Sequence, residues 1–420
     1  MENYENEQDY LPLFYNEPVD TNDEETEEEL AFDLSKNNQA VIWGTDWTTE
    51  TIARQLEKGV IDLNPSFQRR DAWTDIEKSK LIESLILGFP VPPIILAESR
   101  LKKNTFIVID GKQRLLSIRR FYAGSVPDSS ASSKSAFKVL RLKGLEILKS
   151  LNKMSYSDVR TQNDDYINSL DNQSIRTVVI KNWPDEAFLY TVFLRLNTGS
   201  KKLSPQELRQ ALHPGKFLTY LDEATARSKT IQSVLHNVGP DPRMKDIEIT
   251  LRYFAYKFYP NKYDGNLKEF LDLTCKELNQ NWAQEETHIY SLFSELEQSI
   301  QYMNEIFNPH SAFLRYEKGQ PIQRFNRAVF EVFTYFFSIP EIRIKLLGQG
   351  IDFKSKYISI NDDFDFSSAV SETTKTVNRV LTRYNKVGDI IASLLKESDR
   401  YLVPRFSQAG NHILVNSSLI

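Results

Sequence analysis

From residue 48 the apolar positions take a helical spacing, then fall into short unbroken runs, then return to a helical spacing. Thr48 or Thr49 can cap a short helix that turns Ile52 and Leu56 inward and ends at Gly59. An extended segment follows from Val60 to Arg70. Thr74 and Glu77 stand at the spacing of a capping box, and the helix they open carries Leu81, Ile82, Leu85 and Ile86 on one face and stops at Gly88. Pro90, Pro92 and Pro93 break the chain before Ile94-Ile95-Leu96-Ala97, which reads as a buried strand. Phe106-Ile107-Val108-Ile109 reads as a second strand. It runs straight into Asp110-Gly111 and then into a helix with Leu115, Leu116, Ile118 and Tyr122 inward.

Gly124 to Ser135 is a Ser-rich loop, and Ile175–Ile180 predicts a further strand. Ser204 as N-cap with Pro205 at the first helical position marks another helix start. From about residue 217 the pattern is helical and aromatic-rich. Ile247, Leu251, Phe254 and Phe258 form one stripe and Phe325, Val329, Phe330 and Phe333 another, both expected in a core. There is no internal repeat and no heptad run. The predicted class is α+β, with an α/β domain over residues 39–215 and an all-α domain over 216–420.

Composition adds a third region. Residues 1–38 hold thirteen Asp or Glu and one Lys, a net of −12, and read as a disordered acidic tail. The remainder has 51 Lys or Arg against 44 Asp or Glu, a net of +7, which permits a nucleic-acid partner without demanding one. The tail serves either solubility or the shielding of a basic site. The single cysteine, Cys275, excludes an internal disulfide framework and suits a reducing compartment. No run approaches a membrane span and no secretory leader is evident, so a cytoplasmic protein is expected.

The chemistry concentrates at one turn. A strand ending in a glycine turn before a helix is where backbone N–H groups gather around an anion. Here Asp110, Gly111, Lys112, Gln113 and Arg114 put an acid, an amide and two cations into five residues. Arg114 can grip a phosphate with two parallel hydrogen bonds. Asp110 can hold a divalent cation, orient a water or accept a hydrogen bond, and Gln113 both donates and accepts. The bland alternative, an Asp-Gly turn bonding its own backbone beside an exposed Arg114, has equal standing on spacing alone. Two clusters could join the site: Gln68-Arg69-Arg70, and Asn197-Thr198-Gly199-Ser200-Lys201-Lys202. Other chemistries lack residues. There is no Gly-x-x-x-x-Gly-Lys-Ser/Thr and no Gly-x-Gly-x-x-Gly after a strand, and the five histidines have no ligand spacing, so no metal ligands are assigned.

The ordered set of motifs resembles the N-terminal domain family of GmrSD-type modification-dependent restriction enzymes. The matching pieces are Asn64-Pro65-Ser66-Phe67-Gln68-Arg69-Arg70-Asp71-Ala72-Trp73, residues Leu81 to Pro92, Ile109-Asp110-Gly111-Lys112-Gln113-Arg114 and Arg195-Leu196-Asn197-Thr198-Gly199. Leu251 to Ala255 and Phe325-Asn326 extend the likeness into the helical half. The family signature is Asp-Gly-Gln-Gln-Arg, and here Lys112 replaces its first Gln. The resemblance implies a ParB/sulfiredoxin-like fold and a nucleoside-triphosphate site, with Mg2+ accompanying the nucleotide, at Asp110, Gln113 and Arg114. Gly111 and Lys112 belong to that site, and Arg69 and Asn197 are added candidates. Lys112 is expected to add positive charge at the turn. The resemblance further implies DNA as a partner and a role in restricting phage DNA. No His-Asn-His nuclease cluster follows residue 300, so a stand-alone form is expected, with any cutting assigned to a partner nuclease or defence protein.

Three readings follow. The first is a nucleotide-hydrolysing, DNA-sensing component of a prokaryotic anti-phage system. The second is a non-catalytic ParB-like module that binds DNA or protein. The third is a nuclease or phosphotransferase in its own right.

Overall fold

A computed structural model describes residues 40–63, 73–100, 102–123, 138–185, 188–189, 192, 204–237, 239–308 and 311–416. The expected acidic tail, the Ser-rich loop, and the segments holding Arg69 and Asn197 lie outside them. The chain divides into two compact units. The described residues from 40 to 223, with Pro242–Lys245, form one; Ala224–Asp241 and the described residues from Asp246 onward form the other.

The first unit is built on a four-stranded sheet of β1 (Val41–Thr48), β2 (Ile94–Glu98), β3 (Phe106–Asp110) and β4 (Ser174–Lys181), in the order β1-β4-β2-β3. β4 runs antiparallel to β1 and parallel to β2, and β2 is antiparallel to β3. The helices are α1 (Thr49–Glu57), α2 (Asp75–Ile86), α3 (Lys112–Tyr122), α4 (Tyr156–Gln162), α5 (Asp164–Asn172) and α6 (Pro205–Leu212).

The unbroken apolar run of β2 has a simple cause: the strand is covered on both faces. Ile94 and Leu96 point into the core made by α1, α2, α3 and α5, with Val108 and Ile175. Ile95 and Ala97 point the other way, with Ile109 and Ile180, against Leu208 and Leu212 of α6. The helix starts follow their caps. The Thr48 side chain accepts from Thr51 N–H, and Thr74 and Glu77 form the expected capping box. The extended segment after Gly59 adds a short parallel bridge to the outer edge of β3: Phe106 N–H donates to the Val60 carbonyl at 2.8 Å, and Asp62 N–H donates to the Phe106 carbonyl at 3.1 Å.

The second unit is helical, as the aromatic stripes predict. Its longer helices are α7 (Lys245–Phe258), α8 (Leu267–Gln280), α9 (Trp282–Phe307), α10 (Arg327–Phe337) and α11 (Val377–Leu394). α10 is buried all round. Its charged residues are tolerated there because they are paired: Glu331 accepts from Arg383 at 2.5 Å, and Arg327 lies 3.6 Å from Glu248, which also holds Arg252 at 2.8 Å. Ile247, Leu251, Phe254, Val329, Phe330 and Phe333 are core, while Phe258 and Phe325 are half-buried. The unit also carries a hairpin that the helical pattern did not announce, β5 (Arg405–Ala409) with β6 (His412–Asn416). Gly410 at φ +61° makes its turn, and Phe406 and Ile413 anchor it inward. No helix of the described residues is long and apolar enough to cross a membrane.

Candidate functional site

β3 passes into α3 through a single residue. Gly111 sits at φ +97°, in the left-handed region that glycine enters without strain. A side chain there would also crowd β2, because a Cβ would stand 3.2 Å from Ile94 Cγ1 and 3.4 Å from its Cα. With glycine at the N-cap, α3 begins without any side-chain cap. Its first-turn N–H groups are thus left without the usual side-chain acceptor. α1, α2, α4, α5 and α6 all start under a capping side chain.

Asp110 and Arg114 lie one turn apart and hold each other. Arg114 Nη2 donates to Asp110 Oδ2 at 2.8 Å and to the Pro93 carbonyl at 3.0 Å, which clips the start of β2 to α3. The Arg114 side chain is 15% exposed and that of Asp110 34%. The bland alternative, with Asp110 on its own backbone and Arg114 in solvent, is therefore not the arrangement found. Two buried polar atoms at the turn, Gln113 Oε1 and Arg114 Nε, have no hydrogen-bond partner among the described residues. An orphaned acceptor and an orphaned donor side by side are costly unless a ligand completes them.

Lys112 corrects one expectation. It does not add free charge at the turn. Its Nζ lies 2.5 Å from Glu207 Oε1, and both side chains are 3% exposed. The physical reason is position: as the first residue of α3, Lys112 faces α6 across the sheet side that α6 covers. Glu207 is a neighbour of the turn that the sequence did not single out. It completes a capping box for α6, with Oε2 accepting from Ser204 N–H at 2.7 Å and Ser204 Oγ accepting from Glu207 N–H at 3.1 Å. Arg243 Nε stands 3.5 Å from the same oxygen. The Ser-x-x-Glu spacing was visible in the sequence, but nothing pointed across 95 residues to Lys112.

The structure thus brings Asp110, Gly111, Gln113 and Arg114 to one uncapped helix start, and places the Lys112 charge behind it. Arg69 and Asn197 lie outside the described residues. No group of three or more His, Cys, Asp or Glu that could hold a metal occurs among the described residues.

A mixed sheet of two covered faces and a helical unit, with a polar glycine turn between a strand and its helix, defines an α+β protein. Residues 50–214 match the family described as GmrSD restriction endonuclease, N-terminal domain, so this stretch of the chain is similar to that domain. No curated protein and no solved structure matches the chain.

Proposed function

We propose that the Gly111 turn binds and hydrolyses a nucleoside triphosphate, and that the protein is the DNA-sensing component of a prokaryotic anti-phage restriction system, acting in the cytoplasm with a partner nuclease. A ParB/sulfiredoxin-like assignment of the first unit belongs to the same reading. The observation that carries it is the uncapped start of α3 with the orphaned Gln113 Oε1 and Arg114 Nε beside the Asp110 carboxylate.

The groups suit phosphate. Three first-turn N–H donors and the helix dipole favour an anion, and Arg114 adds a charged donor. In hydrolysis a water oxygen attacks the terminal phosphorus, the bond to the bridging oxygen breaks, and inorganic phosphate leaves. Gln113 can orient that water through its orphaned oxygen, and Asp110 can accept its proton or turn toward a cation. Magnesium is compatible with this site because it travels on the phosphates and needs only one or two protein carboxylates, of which Asp110 is one. It would neutralise charge on the phosphate oxygens.

Phosphate release from each of the four nucleoside triphosphates, with magnesium and with or without DNA, tests the reading. Asp110→Ala and Arg114→Ala are expected to weaken nucleotide binding by about 1.5–3 kcal/mol, roughly 10- to 150-fold, with the unfolding temperature little changed. The absence of both binding and hydrolysis, with all four nucleotides, would overturn the reading. DNA affinity without turnover would shift the protein to the non-catalytic module, and plasmid cutting by the purified protein alone would shift it to a nuclease.

A further inference from the structure

A second feature of the first unit is unrelated to the turn. Residues 138–153, between α3 and α4, run without a strand and with only one short 3-10 turn, Lys149–Leu151. They carry Lys138, Arg141, Lys143, Lys149 and Lys153, all exposed, against one acid, Glu146. Glu146 pairs with Lys80 on α2, and Arg141 is matched by Asp158 at 2.8 Å. Among the described residues the four lysines have no acidic partner.

An irregular segment of this kind is ordinarily the loosest part of a domain. This one is held by buried polar groups. The Glu83 carboxylate, on α2 and 6% exposed, accepts from three consecutive N–H groups: Glu146 at 3.4 Å, Ile147 at 2.9 Å and Leu148 at 2.7 Å. Ser79 Oγ accepts from Lys143 N–H at 2.9 Å, and Arg120 Nε donates to the Lys138 carbonyl at 2.9 Å. Leu142 N–H donates to the Met154 carbonyl at 2.9 Å, and Lys153 N–H to the Leu142 carbonyl at 2.7 Å, closing the segment on itself. Leu140, Leu142, Leu145 and Leu151 sit in the core beneath. Gly144, at φ +68°, lies so close over α2 that a Cβ would stand 3.1 Å from Ile76 Cγ2. The leucines point in, the lysines point out, and the backbone between them is fixed.

We propose that residues 138–153 form a surface for the phosphate backbone of DNA, with Lys138, Lys143, Lys149 and Lys153 as its contacts. Four uncompensated cations on an anchored backbone match a polymer of spaced single charges, and they meet it without first ordering a loop. A membrane fits less well. Interfacial segments are amphipathic helices with several inserted apolar side chains, whereas this one is irregular and exposes a single large apolar residue, Ile147. The choice of DNA rests on the restriction-type reading above; the charge and the anchoring do not.

The test uses the full chain and a fluorescent DNA duplex, titrated by anisotropy from about 50 to about 200 mM salt. Replacing all four lysines (K138Q, K143Q, K149Q, K153Q) is expected to reduce the slope of log affinity against log salt by about 3 to 4, and to weaken binding about tenfold or more. The four corresponding Lys→Arg changes are expected to keep both. Phosphate release without DNA should match the unaltered protein in both variants, which shows that the fold and the Gly111 turn are intact. An unchanged slope and affinity in the Gln variant overturns the surface and leaves the DNA reading standing. Absence of any DNA binding by the unaltered protein overturns both. Binding to phosphatidylserine vesicles that exceeds DNA binding, and is lost in the Gln variant, overturns the proposal in favour of a membrane.

Discussion

The starts of α6 and α3 solve the same problem in opposite ways. At α6 the four orphan N–H groups of a helix start meet a full capping box, Ser204 with Glu207, and Pro205 removes one donor altogether. At α3 the strand runs into the helix with one residue between them. Only a glycine at φ +97° reverses the chain there, so no side chain is available to cap. The forgone cap costs only about a few tenths of a kcal/mol, because glycine is itself a tolerated N-cap. What is left is a row of first-turn N–H groups that no side chain caps, which the proposed function gives to a phosphate. The two starts are also joined. Glu207 uses Oε2 to cap α6 and Oε1 to hold Lys112, the first residue of α3. The closed helix start therefore braces the open one.

The largest expected effect comes from breaking that brace. Glu207→Ala removes the carboxylate that compensates a 97%-buried Lys112, along with the α6 cap. A loss of roughly 3–5 kcal/mol is expected. Urea unfolding of the first unit, followed by hydrogen exchange in α3 and α6, measures it. The double change Lys112→Met with Glu207→Met should recover most of that loss and leave about 1 kcal/mol for the missing cap. If the double variant is as unstable as Glu207→Ala, the pair is not what joins the two starts. Next comes Gly111→Ala. The left-handed φ and the contact with Ile94 together predict a loss of about 1–3 kcal/mol and a collapse of nucleotide affinity. Unchanged nucleotide affinity in a folded Gly111→Ala protein would remove the turn from the site.

Much of this comparison could be read from the chain before its structure. The Thr74–Glu77 and Ser204–Pro205 starts, the β2 and β3 runs and the inward face of α3 depend on near neighbours, and local chemistry writes them plainly. The direction of the Lys112 side chain depends on Glu207 and so on tertiary packing, which no local spacing encodes. The same holds for Arg114, whose pairing with Asp110 at i and i+4 was within reach of the helical period, while its bond to the Pro93 carbonyl was not. The β5–β6 hairpin was missed because a ten-residue stretch of alternation at the chain end is weak beside the long aromatic stripes that precede it.

The smallest expected effect is at α2, and it decides what the contrast means. Thr74 Oγ1 accepts from Glu77 N–H at 3.2 Å, and Glu77 Oε2 accepts from Thr74 N–H at 2.8 Å, in an exposed setting. Thr74→Ala removes one arm of the box and should cost about 1 kcal/mol, a fall of a few degrees in the unfolding temperature of the first unit. Nucleotide affinity should stay as it was, because the Thr74 cap closes the start of α2 and not that of α3. That outcome, set beside loss of affinity in Gly111→Ala at a comparable cost in stability, would separate a helix start that stabilises from one that binds. Equal loss of affinity in both variants would mean that binding follows the general stability of the unit, and the open start of α3 would then have no special standing.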